Sequence, residues 1–266
     1  MSLPPSPVLE LCDQHAIRHA QMVDALGPGP WLTVSPHDDD FIIGMGLTTM
    51  LGQKEGVEVH AAVLTDGSLG YVTPEEKPGL VARRTAELVA ACALIGMPPE
   101  RLHRFELVDG SLANTQGCRA DPDVPTAAQK LVGLLRSVRP KVVFVCTPTD
   151  THPDHRAAAS ETAIACVWAS SRIWLDLGEP IESPQVYYYA VYAPFDATPQ
   201  YEVRAEPALL ETKLAALQAF ESQGVIEPLL DRLRGDGPYE YVCRVAREPY
   251  RPRVYRRLFA RAERRL

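Results

Sequence analysis

The sequence predicts a three-layer α/β domain with a mostly parallel central sheet. Short apolar, β-branched segments alternate with longer segments of helical spacing through most of the 266 residues, which is typical of strands joined by crossover helices. In the segment 141–146, Lys141 is followed by an uninterrupted apolar run, as expected for a strand buried on both faces. With no internal repeat in the sequence, we expect a single domain over 1–266, with a Pro-rich, flexible start at 1–7 and an Arg-rich C-terminal helix at 251–266.

The individual elements follow from hydrophobic periodicity and from the Gly and Pro residues that end them. Residues 8–26 have helical spacing and stop at Gly27-Pro-Gly-Pro30. Residues 80–94 are strongly amphipathic and are followed by Gly96, a residue common after helix ends. The same reasoning predicts further helices over about 40–53, 127–138, 153–170 and 211–220, and strands over 31–35, 57–64, 101–107, 141–146, 185–192 and 201–204.

Composition and charge limit the function classes. A net charge of −7 gives a nucleic-acid partner no general electrostatic support. Apolar runs stay short of the about 18–20 residues of a membrane span, and the N-terminus lacks the basic and apolar pattern of a secretory signal. The six cysteines are scattered, without a Cys-x-x-Cys pair. We therefore expect a cytoplasmic protein with reduced thiols; the composition leaves homo-oligomerisation open.

A histidine and three carboxylates follow the first buried strand, in Ser35-Pro-His-Asp-Asp-Asp40. Ligands bind at such strand ends in open α/β sheets, and three adjacent Asp side chains call for a positive partner such as a divalent metal. His37 and Asp40 can point into one cavity across the turn. Of the adjacent Asp39 and Asp40, one can bind the metal while the other faces a metal-bound water. An incomplete ligand set with a base beside an open position is what hydrolytic zinc chemistry requires.

The segment Thr151-His-Pro-Asp-His155 follows the strand at 141–146 in the same way. Pro153 is tolerated in a first helical turn, and His152 and His155, three residues apart, then lie on one helix face. One histidine can complete the metal site and the other can donate a proton or hydrogen bond to the reacting group, with Asp154 or another carboxylate fixing its tautomer. If the two strands are neighbours, both motifs meet in one crevice.

Each motif has an ordinary alternative when it is taken alone. A run of Asp is usually a solvated turn, and a His-x-x-His pair on a helix is usually a surface or capping feature. Two such clusters at the ends of two buried strands favour a shared metal site. The sequence leaves open whether Asp150, just before the second motif, contacts the metal or the substrate. The tyrosines at 187, 188, 189 and 192 are expected to pack within the sheet, with the alternative that one of their hydroxyls reaches the pocket.

The paired motifs resemble the signature of the PIG-L/LmbE-like deacetylases. The likeness extends to weaker segments at Thr65–Gly70, Arg84-Thr-Ala-Glu87, Val108-Asp-Gly110 and Lys213 followed by Ser222-Gln223. The resemblance implies a Rossmann-like (LmbE-like) fold and a zinc-dependent N-deacetylase, with another divalent metal as an alternative cofactor. It also implies the substrate class, an N-acetylated, sugar-containing small molecule such as a GlcNAc-type conjugate.

Carried over by position, the resemblance assigns site residues. It implies that His37, Asp40 and His155 are the zinc ligands, and that Asp39 is the general base acting on the metal-bound water. It further implies that His152 stabilises the oxyanion or protonates the leaving amine, supported by Asp154.

The substrate side of the site is expected in the loops that follow the next strands. The resemblance implies that Arg84 and Asp109 face the sugar, and Asp66 and Ser68 are candidates to line the same crevice. Asp38 stands where the family commonly has Pro or an apolar residue, but the spacing His-x-Asp-Asp still selects Asp39 and Asp40 as the matching pair.

Two other functions fit parts of the pattern. A metal-dependent hydrolase of another amide or an ester would use the same residues. A non-catalytic small-molecule-binding α/β module is the second alternative, although a dinucleotide binder is disfavoured because three Asp replace the Gly-rich turn that cradles a pyrophosphate.

Overall fold

The computed structural model describes residues 15–17, 21–115, 124–224 and 226–245. These residues contain one eight-stranded sheet of order β1-β7-β8-β6-β5-β2-β3-β4. The strands are β1 His15–Ile17, β2 Trp31–Ser35, β3 Val59–Thr65, β4 Leu102–Leu107, β5 Val142–Cys146, β6 Gln185–Tyr189, β7 Tyr201–Arg204 and β8 Tyr239–Arg244. The helices are α1 Met22–Leu26, α2 Asp40–Lys54, α3 Leu80–Leu94, α4 Ala127–Val138, α5 Pro153–Ala169, α6 Pro207–Gln218 and α7 Ile226–Asp236.

The sheet is parallel except for β8, which runs antiparallel to both β6 and β7. Every residue of β2, β3 and β5 is buried, as expected for central strands covered on both faces. Right-handed crossovers put α2 and α3 on one face of the sheet, and α4 and α5 on the other, because the chain moves in opposite directions along the sheet in its two halves. This arrangement confirms the predicted three-layer α/β class with a mostly parallel sheet.

The point at which the strand order reverses lies between β2 and β5. These two strands pair in parallel, with Trp31 opposite Val142 and Val34 opposite Val145. The expectation that the two motif-bearing strands are neighbours is therefore confirmed. Both motifs follow the carboxyl ends of these strands, which is where crevices open in sheets of this kind.

Helix α2 is buried along nearly all of its length. Two of its three glycines, at 44 and 52, lie directly against the rings of Tyr189 and Trp31, where a Cβ atom would overlap ring atoms. A buried ion pair joins α2 to α6 and β8: Lys213 Nζ lies 2.8 Å from Glu240 Oε1 and donates to the Ile43 carbonyl at 2.6 Å. The first turn of α2, which carries Asp40, is thus held from outside the helix.

The N-terminal and C-terminal parts of the sheet differ from expectation. The predicted helix over 8–26 is wrong where the structure describes it, because His15–Ile17 is a strand beside β7 and only Met22–Leu26 is helical. Helix α7 and strand β8 are not predicted by hydrophobic periodicity. The flexible start at 1–7 and the Arg-rich helix at 251–266 lie outside the described residues. In the described part of the chain, the helices are all too short or too polar to cross a bilayer.

Candidate active site

The two motifs share one carboxylate oxygen. Oδ2 of Asp40, at the start of α2, lies 2.9 Å from His37 Nδ1 and 3.1 Å from His155 Nε2. His155 belongs to the first turn of α5, which follows β5. The pairing of β2 with β5 therefore brings together residues that are more than a hundred positions apart in the sequence.

The geometry of these three side chains fits a divalent cation. Ligand atoms around a tetrahedral zinc with bonds of about 2.0–2.1 Å lie roughly 3.3 Å apart, close to the two separations at Asp40. Among the described residues, Asp40 Oδ1 and both ring nitrogens of His155 are fully buried without a well-aligned hydrogen bond. Nitrogen atoms of His37, His152 and His155 also lie within 4.8 Å of one another. A cation would satisfy these buried atoms, whose desolvation is otherwise costly.

Outer carboxylates contact the second nitrogen of each proposed histidine ligand. Nε2 of His37 lies 3.2 Å from Asp109 Oδ1 and 3.4 Å from Asp154 Oδ2. Nδ1 of His155 lies 3.2 Å from Asp150 Oδ2. Carboxylates in this position fix the orientation of a metal-binding histidine and raise its basicity. Asp150, which the sequence leaves without a definite role, therefore positions His155 from outside the cluster.

Asp154 does not hold the ring of His152 in the way expected from the sequence. Its carboxylate accepts hydrogen bonds from Gly110 N at 2.7 Å and Leu112 N at 3.0 Å, besides facing His37. Only the backbone N–H of Asp154 reaches His152, donating to Nδ1 at 3.2 Å. The physical reason is that His152 is the N-cap of α5, so its ring folds back onto the first helical amides.

The hydrogen bond from Asp154 N to His152 Nδ1 bears on the protonation and tautomer of the His152 ring. Burial, followed by the neighbouring His37 and His155, lowers the pKa of His152, which favours the neutral ring. Because Nδ1 accepts a hydrogen bond from the Asp154 amide, the proton of the neutral ring is assigned to Nε2. The ring also lies edge-on to His37, with 4.7 Å between the ring centroids. His152 thus presents an N–H donor beside the cluster.

Each of the three adjacent aspartates has its own partner. Asp38 accepts from Arg84 Nε at 2.9 Å and forms a second, shorter contact with Arg84 Nη2. Asp39 accepts a hydrogen bond of 2.6 Å from Gln223 Nε2. Asp40 lies between the two histidines. The repulsion expected within the triple is therefore relieved at each position separately, and one cation is not required to neutralise all three.

The electrostatic environment of Asp39 differs from that of Asp40. Burial and, to a lesser extent, the charges of Asp40 and Asp38 raise the pKa of Asp39 to about 6. The two histidines beside Asp40 hold the pKa of that carboxyl far below its usual range, although burial alone would raise it. A cation bound by Asp40 would lower the pKa of Asp39 from this value, because it would add a positive charge next to it.

The predicted substrate residues have structural partners of their own. The Arg84 guanidinium is buried against Asp38, and a side chain at Gly67 or Gly70 would collide with it. The Asp66 carboxylate accepts from Ser68 N at 3.0 Å and Asp109 N at 3.1 Å, which shapes the two loops after β3 and β4. Asp109 contacts His37 directly and Arg84 contacts Asp38, whereas Asp66 and Ser68 are linked to the cluster only through the Asp109 loop. Contact of these four residues with a substrate stays a prediction.

Two further residues border the site without having been assigned a role from the sequence. Gln223, on the segment between α6 and α7, contacts Asp39 as described above. Tyr192 was expected to pack within the sheet, but it follows the end of β6 and stacks on His155 with 5.1 Å between ring centroids. Its place after the strand adjacent to β5 is the signal that points to the crevice.

Comparisons with known proteins agree with this geometry. A family model described as PIG-L: GlcNAc-PI de-N-acetylase matches residues 32–166, which include both motifs. A 1D-myo-inositol 2-acetamido-2-deoxy-alpha-D-glucopyranoside deacetylase of Rhodococcus jostii is 32% identical over 59% of this chain and 60% of its own length, so the match spans less than two thirds of that relative. A diacetylchitobiose deacetylase of Thermococcus kodakarensis is 30% identical over 72% of this chain and 69% of its own length.

A solved structure supports the fold. The N,N'-diacetylchitobiose deacetylase of Pyrococcus horikoshii, crystallised with an inhibitor, superposes with a TM-score of 0.70 and 23% sequence identity. The superposition covers 90% of this chain and 89% of that protein. The likeness therefore extends well beyond the segment that contains the two motifs.

Proposed function

Because the chain belongs to the PIG-L family of GlcNAc-PI de-N-acetylases, we propose that it is a zinc-dependent N-deacetylase of a GlcNAc-type or related small-molecule conjugate. The observation that carries the proposal is the position of a buried base, Asp39, beside the cluster of His37, Asp40 and His155. Zinc is the cofactor we favour because two imidazole nitrogens and one carboxylate oxygen form a typical catalytic zinc set with an open position.

His37, Asp40 and His155 would hold the metal, which would act as a Lewis acid, polarising the amide carbonyl and making water more acidic. Asp39 accepts the proton of the attacking water, and Gln223 holds one oxygen of this carboxylate in place. The Nε2–H group of His152 donates a hydrogen bond to the carbonyl oxygen as negative charge develops there, and keeps its proton throughout. Asp39 then returns the proton to the departing amine, which completes an amide hydrolysis with no net proton change at the base.

The proposal also covers the location of the protein, its domain organisation and its substrate class. We place the protein in the cytoplasm, which is supported by scattered cysteines that are buried where the structure describes them. We also propose that 1–266 form one domain, since the sheet collects strands from His15 to Arg244. The substrate is proposed to contain an N-acetylated sugar, as the names of the two relatives indicate for those proteins.

The test combines metal analysis with acetate release. Purified protein is expected to contain about one zinc per chain and to release acetate from N-acetylglucosamine conjugates. An Asp39→Asn variant is expected to keep its zinc but lose about 100-fold or more in rate, because a positioned base contributes about 10²–10⁴-fold. His155→Ala is expected to lose both metal and activity.

The matched control is Asp176→Asn, which changes an exposed carboxylate in the turn after α5. This variant is expected to behave as the parent protein in both assays. Full activity in Asp39→Asn would contradict the role of the base. A protein that binds no metal and releases no acetate would support the small-molecule-binding alternative instead.

A further inference from the structure

A cavity of about 560 Å³ lies next to the candidate active site. It is bounded by the first turns of α2, the segment after β6, helices α6 and α7, and the start of β8. Its walls are rich in aromatic and aliphatic side chains, including Tyr192, Phe195, Tyr239, Tyr241, Ile43 and Leu210. We call this space the aromatic cavity. Its volume is within the range of sites that hold small organic ligands.

The aromatic cavity and the proposed metal cluster share a wall. Tyr192 lines the cavity, and its ring stacks on His155 at a centroid distance of 5.1 Å. The cavity is also lined by Ile43 and Gly44, which lie about one helical turn, roughly 5.4 Å along the axis, beyond Asp40. The aromatic cavity is therefore adjacent to the cluster along both Tyr192 and the start of α2.

The charges of the lining residues cancel. Lys213 and Glu240 lie at the buried side of the cavity and form an ion pair with each other at 2.8 Å. The exposed side contributes one cation and one anion, Arg232 and Asp236. A charged group would find no net counter-charge here, whereas the flat faces of the tyrosine and phenylalanine rings favour a neutral ring.

Tyr192, Tyr239 and Tyr241 are also unusually exposed for aromatic residues. Between 42% and 50% of their surface remains accessible to solvent. Aromatic side chains grouped around a concave surface, with their apolar faces open, are typical of sites that hold a ligand ring. Their grouping beside a proposed catalytic cluster distinguishes them from single exposed hydrophobic residues, which need no explanation.

We propose that the aromatic cavity binds the aglycone of the substrate, a neutral ring joined to the sugar that carries the acetamido group. This inference rests on the proposed function and adds a second binding position to it. The acetamido group lies at the proposed metal cluster, and Tyr192 separates the sugar that carries it from the aglycone ring. Phe195 and Tyr239 provide contact surface for the ring on the outer side.

The test compares N-acetylglucosamine with its benzyl glycoside as substrates of the same enzyme. We expect a higher kcat/KM for the benzyl glycoside, mainly through a lower KM. The ratio of kcat/KM for the benzyl glycoside to kcat/KM for N-acetylglucosamine is expected to fall about tenfold in Tyr239→Ala and in Phe195→Ala. A fall of this size corresponds to the loss of one aromatic contact and its buried area. Tyr239→Phe, which keeps the ring and removes only the hydroxyl, is the matched control and is expected to keep the ratio.

Two outcomes would overturn the aglycone position while leaving the deacetylase proposal intact. One is an unchanged ratio in both alanine variants. The other is that the alanine variants keep the ratio of the two glycosides but change the preference for an N-acetyl over an N-hexanoyl substrate. That result would mean that the cavity binds the acyl group and not the aglycone.

A failure of the proposed function is recognised separately. If neither substrate releases acetate, saturation-transfer NMR is used to measure binding of the benzyl glycoside to the parent protein and to Tyr239→Ala. Transfer to the benzyl ring that is lost in Tyr239→Ala supports the cavity as a ring-binding site. Equal transfer in the two proteins, or none in either, contradicts it.

Discussion

At the scale of single residues, the three consecutive aspartates differ only in what their carboxylates contact. Asp38 pairs with the buried Arg84, Asp39 accepts from Gln223, and Asp40 lies between two histidines. One residue type thus acquires three different sets of properties. Asp40 is held as a carboxylate by adjacent positive charge, whereas Asp39 is poised closer to neutral pH.

The contact of Gln223 with Asp39 leads to a prediction about catalysis. Gln223→Ala is expected to lower kcat about tenfold, because a hydrogen bond to a charged group contributes about 1.5–3 kcal/mol. The zinc content is expected to stay the same, since the Gln223 side chain contacts the proposed base and not His37, Asp40 or His155. Steady-state kinetics and elemental analysis measure the two quantities.

Gln218→Ala is the matched control, because this glutamine is exposed at the end of α6. It is expected to keep both kcat and zinc. A Gln223→Ala protein with unchanged kcat would show that the hydrogen bond does not orient the base. Loss of zinc in that variant would place Gln223 with the metal cluster.

Residue-scale prediction from the sequence succeeded where residues are close in the chain. The spacing within each motif identified side chains that the structure brings to one place, including His37, Asp40 and His155. The partner of Asp39 could not be found in this way, because Gln223 lies 184 positions away and belongs to a segment with no periodic pattern. The sequence predicts that the Asp154 carboxylate supports His152, whereas the carboxylate faces His37 in the structure. The spacing could not show this, because the orientation of the His152 ring depends on the geometry of the helix cap.

At the scale of elements, helix α2 depends on a buried ion pair for the position of its first turn. Glu240 accepts from the backbone of Leu47 at 2.9 Å and of Thr48 at 2.8 Å, and from Lys213 Nζ at 2.8 Å. Lys213 in turn donates to the Ile43 carbonyl. The pair therefore ties α6 and β8 to the helix that begins with Asp40.

Removing one member of this pair is expected to destabilise the protein strongly. Glu240→Ala leaves the Lys213 ammonium buried without its counter-charge, and breaking a buried pair in this way costs about 3–5 kcal/mol. Urea unfolding followed by circular dichroism measures the change in free energy of unfolding. The control is Lys141→Ala, which breaks the solvent-exposed pair with Glu182 and is expected to leave the unfolding curve unchanged. Similar curves for both variants would contradict a clamping role.

The elements that were predicted and those that were missed differ in how they are buried. Helices α3 and α4 have one apolar face each, and their observed bounds, Leu80–Leu94 and Ala127–Val138, match the expected ones. Strand β8 places Tyr239 and Tyr241 on the surface, and helix α7 has a single buried residue, Leu230. Neither has the apolar run that marks a central strand or a core helix, so sequence periodicity is a weak guide there.

At the scale of the whole molecule, the strand order determines where the chemistry lies. Alternation of strands and helices predicts the layers, and the parallel pairing of β2 with β5 then places both motifs at the reversal point of the sheet. The aromatic cavity was not foreseeable in the same way. Its walls come from five parts of the chain, namely α2, the segment after β6, α6, α7 and β8, and the last two carry no clear sequence signal.

Because the pairing of β2 with β5 brings together ligands from distant parts of the sequence, we expect metal binding to stabilise the entire fold. The proposed ligands come from the ends of two neighbouring strands, so the cluster exists only in the folded chain, and a metal that binds it shifts the folding equilibrium. For protein first stripped with EDTA, zinc at 100 times its dissociation constant is expected to add about 2.7 kcal/mol. This corresponds to a rise in Tm of roughly 5–10 °C for a domain of this size.

Differential scanning calorimetry of the stripped protein, with and without added zinc, measures this rise. His155→Ala is expected to abolish it, because the variant removes a ligand contributed by the second motif. His103→Ala is the matched control: this half-buried histidine stacks on His60, away from the cluster, and its variant is expected to keep the rise in full. An equal rise in both variants would mean that zinc stabilises the chain at another place, and the two strand ends would then not be joined by a cation.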